Sequence, residues 1–234
     1  MEDDDDFYKL MFPPYTGHVK IGEFYYDLYI DQDTLERTAE VVRDPTVSQE
    51  IASYPDLTTV RIPASVIYHD EEYIVTGIGK EAFSKCDINT VELPDTITNI
   101  GYSAFLDCMD LTSINLPVKV TCIEGLAFSG CWDLYSIELP DSLTSIGEKA
   151  FECCIEFTSI VIPASVSSIK KEAFGGCYGL VDIICKATVP PVLGDDVFRG
   201  INKSIPLYVP GESIGLYKTA PQWREFTNIN AINN

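Results

Sequence analysis

The sequence predicts an α/β-type solenoid, mostly β and right-handed, of about six 23-residue coils, each a short strand followed by a short helix or 3-10 turn. Three observations predict it. Val91, Ile114, Ile137, Ile160 and Ile183 open similar stretches, each 23 residues after the last. Each stretch begins apolar-x-apolar, usually followed by proline, as at 137–140, and most close on Ala-Phe-x-x-Cys, as at 150–154.

The elements of one coil follow in order. Ile137, Glu138 and Leu139 alternate, so the opening is a short strand with one face buried and one open. Pro94, Pro117, Pro140 and Pro163 cannot donate to a ladder, so they end the strand and turn the chain. Leu143 and Ile146 lie three apart on a second wall. Ala150, Phe151 and Cys154 then sit at i, i+1 and i+4, a spacing that suits a turn or two of α- or 3-10 helix. The first unit, from Val60 to Val91, is longer than the others, and its extra residues fall in YHDEEYIVTG, which reads as a hairpin-like excursion that leaves the register intact. A degenerate sixth unit starts at Ile183. No single coil buries enough apolar surface to offset the ordering of its own backbone. The coils must stack, with strands about 4.8 Å apart.

The chain of 234 residues is 46% hydrophobic, which is the composition of a folded protein. Its 36 acids against 16 bases give a formal charge of −20. Nucleic acid is therefore not an expected partner, because binding it requires Lys and Arg to neutralise phosphates, and an anionic membrane is disfavoured for the same reason. No run reaches the roughly 18 apolar residues of a membrane span, and no basic start leads into an apolar signal core. The acidic opening MEDDDDF suits a solvated tail, a mature exported chain or a tether beyond a lipid anchor.

The repeated pattern L-T-S-I-x-L-P-x-x-L-T-S-I-G-x-x-A-F-x-x-C resembles the BspA-like class of leucine-rich repeat over roughly residues 58–204. The stretch IGEFYYDLYIDQDTLERTAEVV resembles the strand-rich lead-in of such proteins, and PLYVPGESIGLYKTAPQWREFTNI resembles their closing unit. The expected organisation is an acidic leader at 1–17, a β-rich cap at 18–57, the solenoid at 58–204 and a closing segment at 205–234. What the resemblance implies is a bacterial surface or secreted protein that binds rather than catalyses. Its partners would be proteins or glycans at a cell surface, as in adhesion.

The residues themselves argue against catalysis. Cys86, Cys108, Cys131, Cys154 and Cys177 recur at one repeat position, with none of the close cysteine pairs of a local zinc site, so they read as core-filling thiols. Cys185 replaces a strand apolar residue, whereas Cys122 aligns with Asn99 and Ser145 and reads as more open. His18 and His69 are the only histidines, and neither stands in a nucleophile or metal motif. No phosphate-binding glycine loop occurs, and no carboxylate pair is singled out by spacing. No catalytic residue, metal site or cofactor is expected. The acidic runs at 3–6 and 194–196 match no calcium-loop pattern and read as solvated charge.

Two surfaces stand out as binding candidates. On the open face of the strand ladder the central column is Arg61, Glu92, Asn115, Glu138, Val161 and Ile184, beside small polar residues at Ser113, Ser136, Ser159 and Asp182. The resemblance makes this sheet the usual partner face, although solvated strand residues would look the same. The second is the row immediately after the cysteines, Met109, Trp132, Ile155 and Tyr178, where the repeat class usually carries small polar residues. Either these large side chains stack to cover the edge of the core, or they form a contact surface rimmed by Asp110, Asp133 and Glu156. The leading expectation is non-catalytic recognition of a protein or glycan. The rivals are a structural spacer in a larger assembly and a carbohydrate-binding accessory of glycan uptake.

Overall fold

Each repeat turns at its proline, which keeps its acceptor although it has no N–H. The carbonyls of Pro94, Pro117, Pro140 and Pro163 accept from the amides of Ile97, Val120, Leu143 and Val166 at 2.9–3.2 Å. The structure is a computed structural model describing residues 18–31, 33–48, 52, 54 and 57–232; the acidic leader expected at 1–17 lies outside them.

The stretch before each proline builds one wall of the solenoid. Strands Thr59–Arg61, Thr90–Glu92 and Ser113–Ile114 pair in parallel as a three-stranded sheet. Ser159–Ile162, Asp182–Cys185, Pro206–Val209 and Asn228–Ala231 form a four-stranded parallel sheet. The coil between the two sheets, which carries Trp132, holds only an isolated bridge from Asn115 to Glu138. The second wall is continuous. Asn99–Ile100, Cys122–Ile123, Ser145–Ile146, Ser168–Ile169 and Val192–Leu193 stack in parallel, one coil per rung.

That second wall grows out of the N-terminal strands. Val19–Ile21, Phe24–Ile30 and Arg37–Val42 pair antiparallel in sequence, and Arg37–Val42 then pairs in parallel with Glu71–Ile78, which starts the ladder. The extra residues of the first coil form a hairpin in which Ser65–Tyr68 pairs antiparallel with Glu71–Ile78. Its two-residue turn places His69 and Asp70 at φ 51° and 65°, as tight hairpin turns require.

The Ala-Phe-x-x-Cys segment differs from the short helix its spacing suggests. Among the described residues, helix is confined to Ile214–Tyr217 and the 3-10 turns Gly211–Ser213 and Trp223–Glu225. Within the coils, i→i+3 turns close at every second residue, as in Ala150 to Gly147, Glu152 to Lys149 and Cys154 to Phe151. The intervening amides turn outward to the next coil: Lys149, Phe151 and Cys153 donate to the carbonyls of Lys171, Ala173 and Gly175 at 2.8–2.9 Å. This alternation needs two left-handed residues per coil, here Lys149 (φ 57°) and Cys153 (φ 60°). Coil-to-coil bonding takes the amides a helix would have used internally. The position before the repeat cysteine is therefore glycine in other coils, at Gly130 and Gly176 (φ 73° and 74°).

The repeated phenylalanine fills the axis between the walls. Phe83, Phe105, Phe128, Phe151, Phe174 and Phe198 stack with centroids 5.4–5.8 Å apart and planes within 10° of parallel. Phe24 and Tyr54 close one end of this column against Phe83, and Trp223 and Phe226 close the other against Phe198. Both end aromatics with polar atoms are satisfied. Tyr54 donates to the Val42 carbonyl, and the Trp223 indole N–H donates to that of Pro191, each at 2.9 Å. No helix of the described residues is long and apolar enough to cross a membrane.

Candidate recognition surface

The residue after each repeat cysteine is turned outward by the backbone. The amides of Leu111, Leu134, Phe157 and Leu180 bond back to the carbonyls of Cys108, Cys131, Cys154 and Cys177, at 3.2–3.3 Å. Cysteine and the following core residue are both buried. The two residues between them, such as Trp132 and Asp133, occupy the outer corner of a turn, where no core position is available. The corners stack in register, since the backbone amide of Asp133 donates to the Met109 carbonyl and that of Glu156 to the Trp132 carbonyl, both at 3.1 Å.

The row is open. Met109, Trp132, Ile155 and Tyr178 are 42%, 45%, 37% and 71% exposed, so they do not close the edge of the core. Tyr135 and Val181 are also exposed, three residues further along two of the same coils, and widen the stripe toward the strand ladder. A Cβ on Gly200 would stand 2.9 Å from Cε1 of Tyr178, so that ring leans across the next coil. The remaining tryptophan, Trp223, is wholly buried.

The ladder column is more divided. Arg61 and Glu92 face solvent and pair at 3.2 Å, an exposed contact of small worth. Asn115 and Glu138 are exposed, and the Asn115 Oδ1 accepts from the Leu93 amide at 3.4 Å. Val161 and Ile184 are half-buried, and the column continues through Tyr208 and Asn230 in strand register. Tyr208 was legible in principle: Leu207, Tyr208, Val209 and Pro210 repeat the apolar-x-apolar-proline pattern.

Among the described residues, no other region assembles reactive chemistry. All eight cysteines are thiols, six of them buried, with Cys122 and Cys153 half-buried. Burial pushes the Cys177 thiol up to about 12 and holds Cys131 and Cys154 well above the usual thiol range. They are not poised as nucleophiles. A cleft of about 490 Å³ beside the N-terminal strands is lined by His18, Asp27, Glu40, Arg43 and Lys80, among others. In it the Glu40 carboxyl is raised, first by burial and then by the Asp27 charge. His69 is not part of that lining and lies in the hairpin turn, edge-on to Tyr68. Among the described residues, no group of three or more His, Cys, Asp or Glu is placed to hold a metal ion.

Known proteins agree on the architecture. The BspA type leucine rich repeat region matches residues 76–204 in six copies. A leucine-rich repeat protein of Bacteroides ovatus is similar with a TM-score of 0.55 and 22% identity, over 92% of this chain and 76% of that one. The leucine-rich repeat protein of T. pallidum gives 0.60 and 24%, over 88% and 92%. The pneumococcal vaccine antigen PcpA gives 0.65 and 19%, over 85% of this chain but 51% of that one. A search of curated proteins finds no match.

Proposed function

Because the chain belongs to the BspA-type leucine-rich repeat family, we propose that it is a non-catalytic recognition module, at a bacterial cell surface or secreted, that holds a protein partner on the row Met109, Trp132, Ile155 and Tyr178. Repeat proteins of this kind serve as interaction modules, and the family's usual setting is the bacterial surface. The observation that carries the reading is the exposure of four consecutive large apolar side chains at turn corners that the core does not use. A turn corner costs nothing to keep polar, so a contiguous apolar row there marks a contact surface. Trp and Tyr are the side chains that most often anchor interfaces.

Trp132 supplies its own probe, since the other indole is buried. Extracellular matrix proteins that bind the chain should perturb Trp132 emission. The double variant Trp132→Ser, Tyr178→Ser should bind them at least about tenfold more weakly, with an unchanged melting temperature. Full binding by that variant sinks the stripe. Perturbation by soluble glycans alone would favour the carbohydrate-accessory role instead, and an inert Trp132 would favour a spacer.

A further inference from the structure

We infer that the partner of this stripe presents arginine: the surface is built to receive an arginine-rich segment of a protein. This rests on the stripe being the contact surface. The four coil segments 109–116, 132–139, 155–162 and 178–185 carry Asp110, Asp133, Glu138, Glu156 and Asp182, and not one Lys or Arg. Four of these acids are exposed and Asp182 is half-buried. None has a Lys or Arg partner among the described residues. Several cations elsewhere in the chain do pair with acids, as where Arg199 reaches Glu152 at 2.7 Å and Lys149 reaches Glu172 at 3.1 Å.

Position makes this charge decisive. Asp110, Asp133 and Glu156 are the immediate neighbours of Met109, Trp132 and Ile155, in the same two-residue turn corners. A partner that covers the apolar row also strips water from these carboxylates, a loss that only a cation brought by the partner offsets. A neutral sugar brings none, and a sulfated or sialylated one adds repulsion. The acids do not converge on a point, as a metal ion would need. They run coil after coil beside the exposed rings of Trp132, Tyr135 and Tyr178. Guanidinium suits both features, because it pairs bidentately with carboxylate and stacks on aromatic faces, and ammonium does neither as well.

The test uses a short arginine–leucine peptide, blocked at both ends, with counterparts in which every arginine is lysine or citrulline. Each is titrated into the full chain while Trp132 emission is followed, and labelled peptide anisotropy serves for variants that lack the indole. The arginine peptide should bind at least about tenfold more tightly than the citrulline peptide, with lysine between, and should weaken by about tenfold from low to physiological salt. Asp110→Asn, Asp133→Asn, Glu156→Gln together should remove at least about tenfold in affinity at an unchanged melting temperature, and asparagine at the leader aspartates 3–6 should not.

Equal binding of the arginine and citrulline peptides, or wild-type affinity in the triple amide variant, overturns the inference. If both peptides bind equally and the Trp132→Ser, Tyr178→Ser variant loses both, the stripe stands and the demand for a cation falls. If the arginine peptide binds that variant normally, it sits elsewhere on an acidic chain, and the inference is overturned as well.

Discussion

The Sγ of Cys131 lies 3.2 Å from the carbonyl oxygen of Phe105, one coil earlier, and donates its proton there. The same bond recurs from Cys108 to Phe83, Cys154 to Phe128 and Cys177 to Phe151, at 3.0–3.2 Å. The Phe105 carbonyl also accepts from the Cys108 amide and so closes the turn of its own coil, and the Cys131 thiol ties the next coil to that turn. Cys131→Ala should remove the bond and leave a small void, at a cost of about 1–3 kcal/mol. Denaturant unfolding would measure it. In the native chain a thiol reagent should modify Cys122 and Cys153 quickly and the six buried cysteines only on unfolding. Rapid modification of more than two contradicts this arrangement.

Those buried thiols also set an alkaline limit. Cys177, ordinarily near 9.0, is pushed up to about 12, and Tyr26 rises from 10.0 to about 12, in both cases by burial. The folded chain holds these protons at a pH where the unfolded chain has released them. Their contribution is therefore complete below about pH 9 and declines as pH rises toward about 12. The melting temperature should be level from about pH 7 to 8.5 and fall steadily above pH 9. A level profile to pH 11 contradicts it.

The phenylalanine column is one packed object, not six independent contacts. Phe128 sits in its middle, 5.4 Å from both Phe105 and Phe151, and is wholly buried. Phe128→Ala should cost about 3–5 kcal/mol, and Phe128→Leu distinctly less. Because neighbouring coils share the column, hydrogen exchange should accelerate in the flanking coils as well as in the mutated one. Acceleration confined to a single coil would contradict the shared column.

Most of this architecture was legible because repetition averages out local ambiguity. A phenylalanine at the same place in six coils reads as core where one alone would not, and the proline after the strand marks each turn. The backbone of the Ala-Phe-x-x-Cys segment was not legible. Residues at i, i+1 and i+4 share one side of a helix and equally of this chain of alternating turns. The one signal that separates them is the residue before cysteine, glycine at Gly130 and Gly176 but masked by Asp107 and Cys153, which adopt the same left-handed φ. The post-cysteine row could be located from the repeat. Its openness could not, because that depends on Cys131 and Leu134 closing a turn with Trp132 outside it.

The closing segment ends the ladder with a side chain acting as a peptide group. Gln222 accepts from the Val197 amide at 3.0 Å through Oε1 and donates to the Gly194 carbonyl through Nε2. In the preceding coil the equivalent amide and carbonyl, of Ala173 and Lys170, bond directly. Gln222 holds a left-handed φ of 59° to make this insertion. Gln222→Ala leaves both backbone groups unsatisfied and should cost about 1–3 kcal/mol, with faster exchange at 194–198. Gln222→Gly relieves the φ but not the lost bonds, so it should recover only a fraction. Wild-type stability in either variant contradicts the clamp.

The field around the stripe can be measured without any partner. Trp132 lies beside Asp133 and one coil from the corners that carry Asp110 and Glu156, whereas Trp223 is sealed in the core. Caesium and iodide both quench an exposed indole by collision, but the carboxylates gather caesium and repel iodide. At low ionic strength caesium should therefore quench Trp132 more strongly, relative to free tryptophan, than iodide does. The difference should shrink as added salt shortens the screening length toward about 3 Å at 1 M. Asp133→Asn should narrow it at low salt, because it removes the nearest charge and leaves the indole as exposed as before. Equal relative quenching by the two ions in the native chain would mean that no negative potential reaches the indole, and a cationic partner would then gain nothing by docking there.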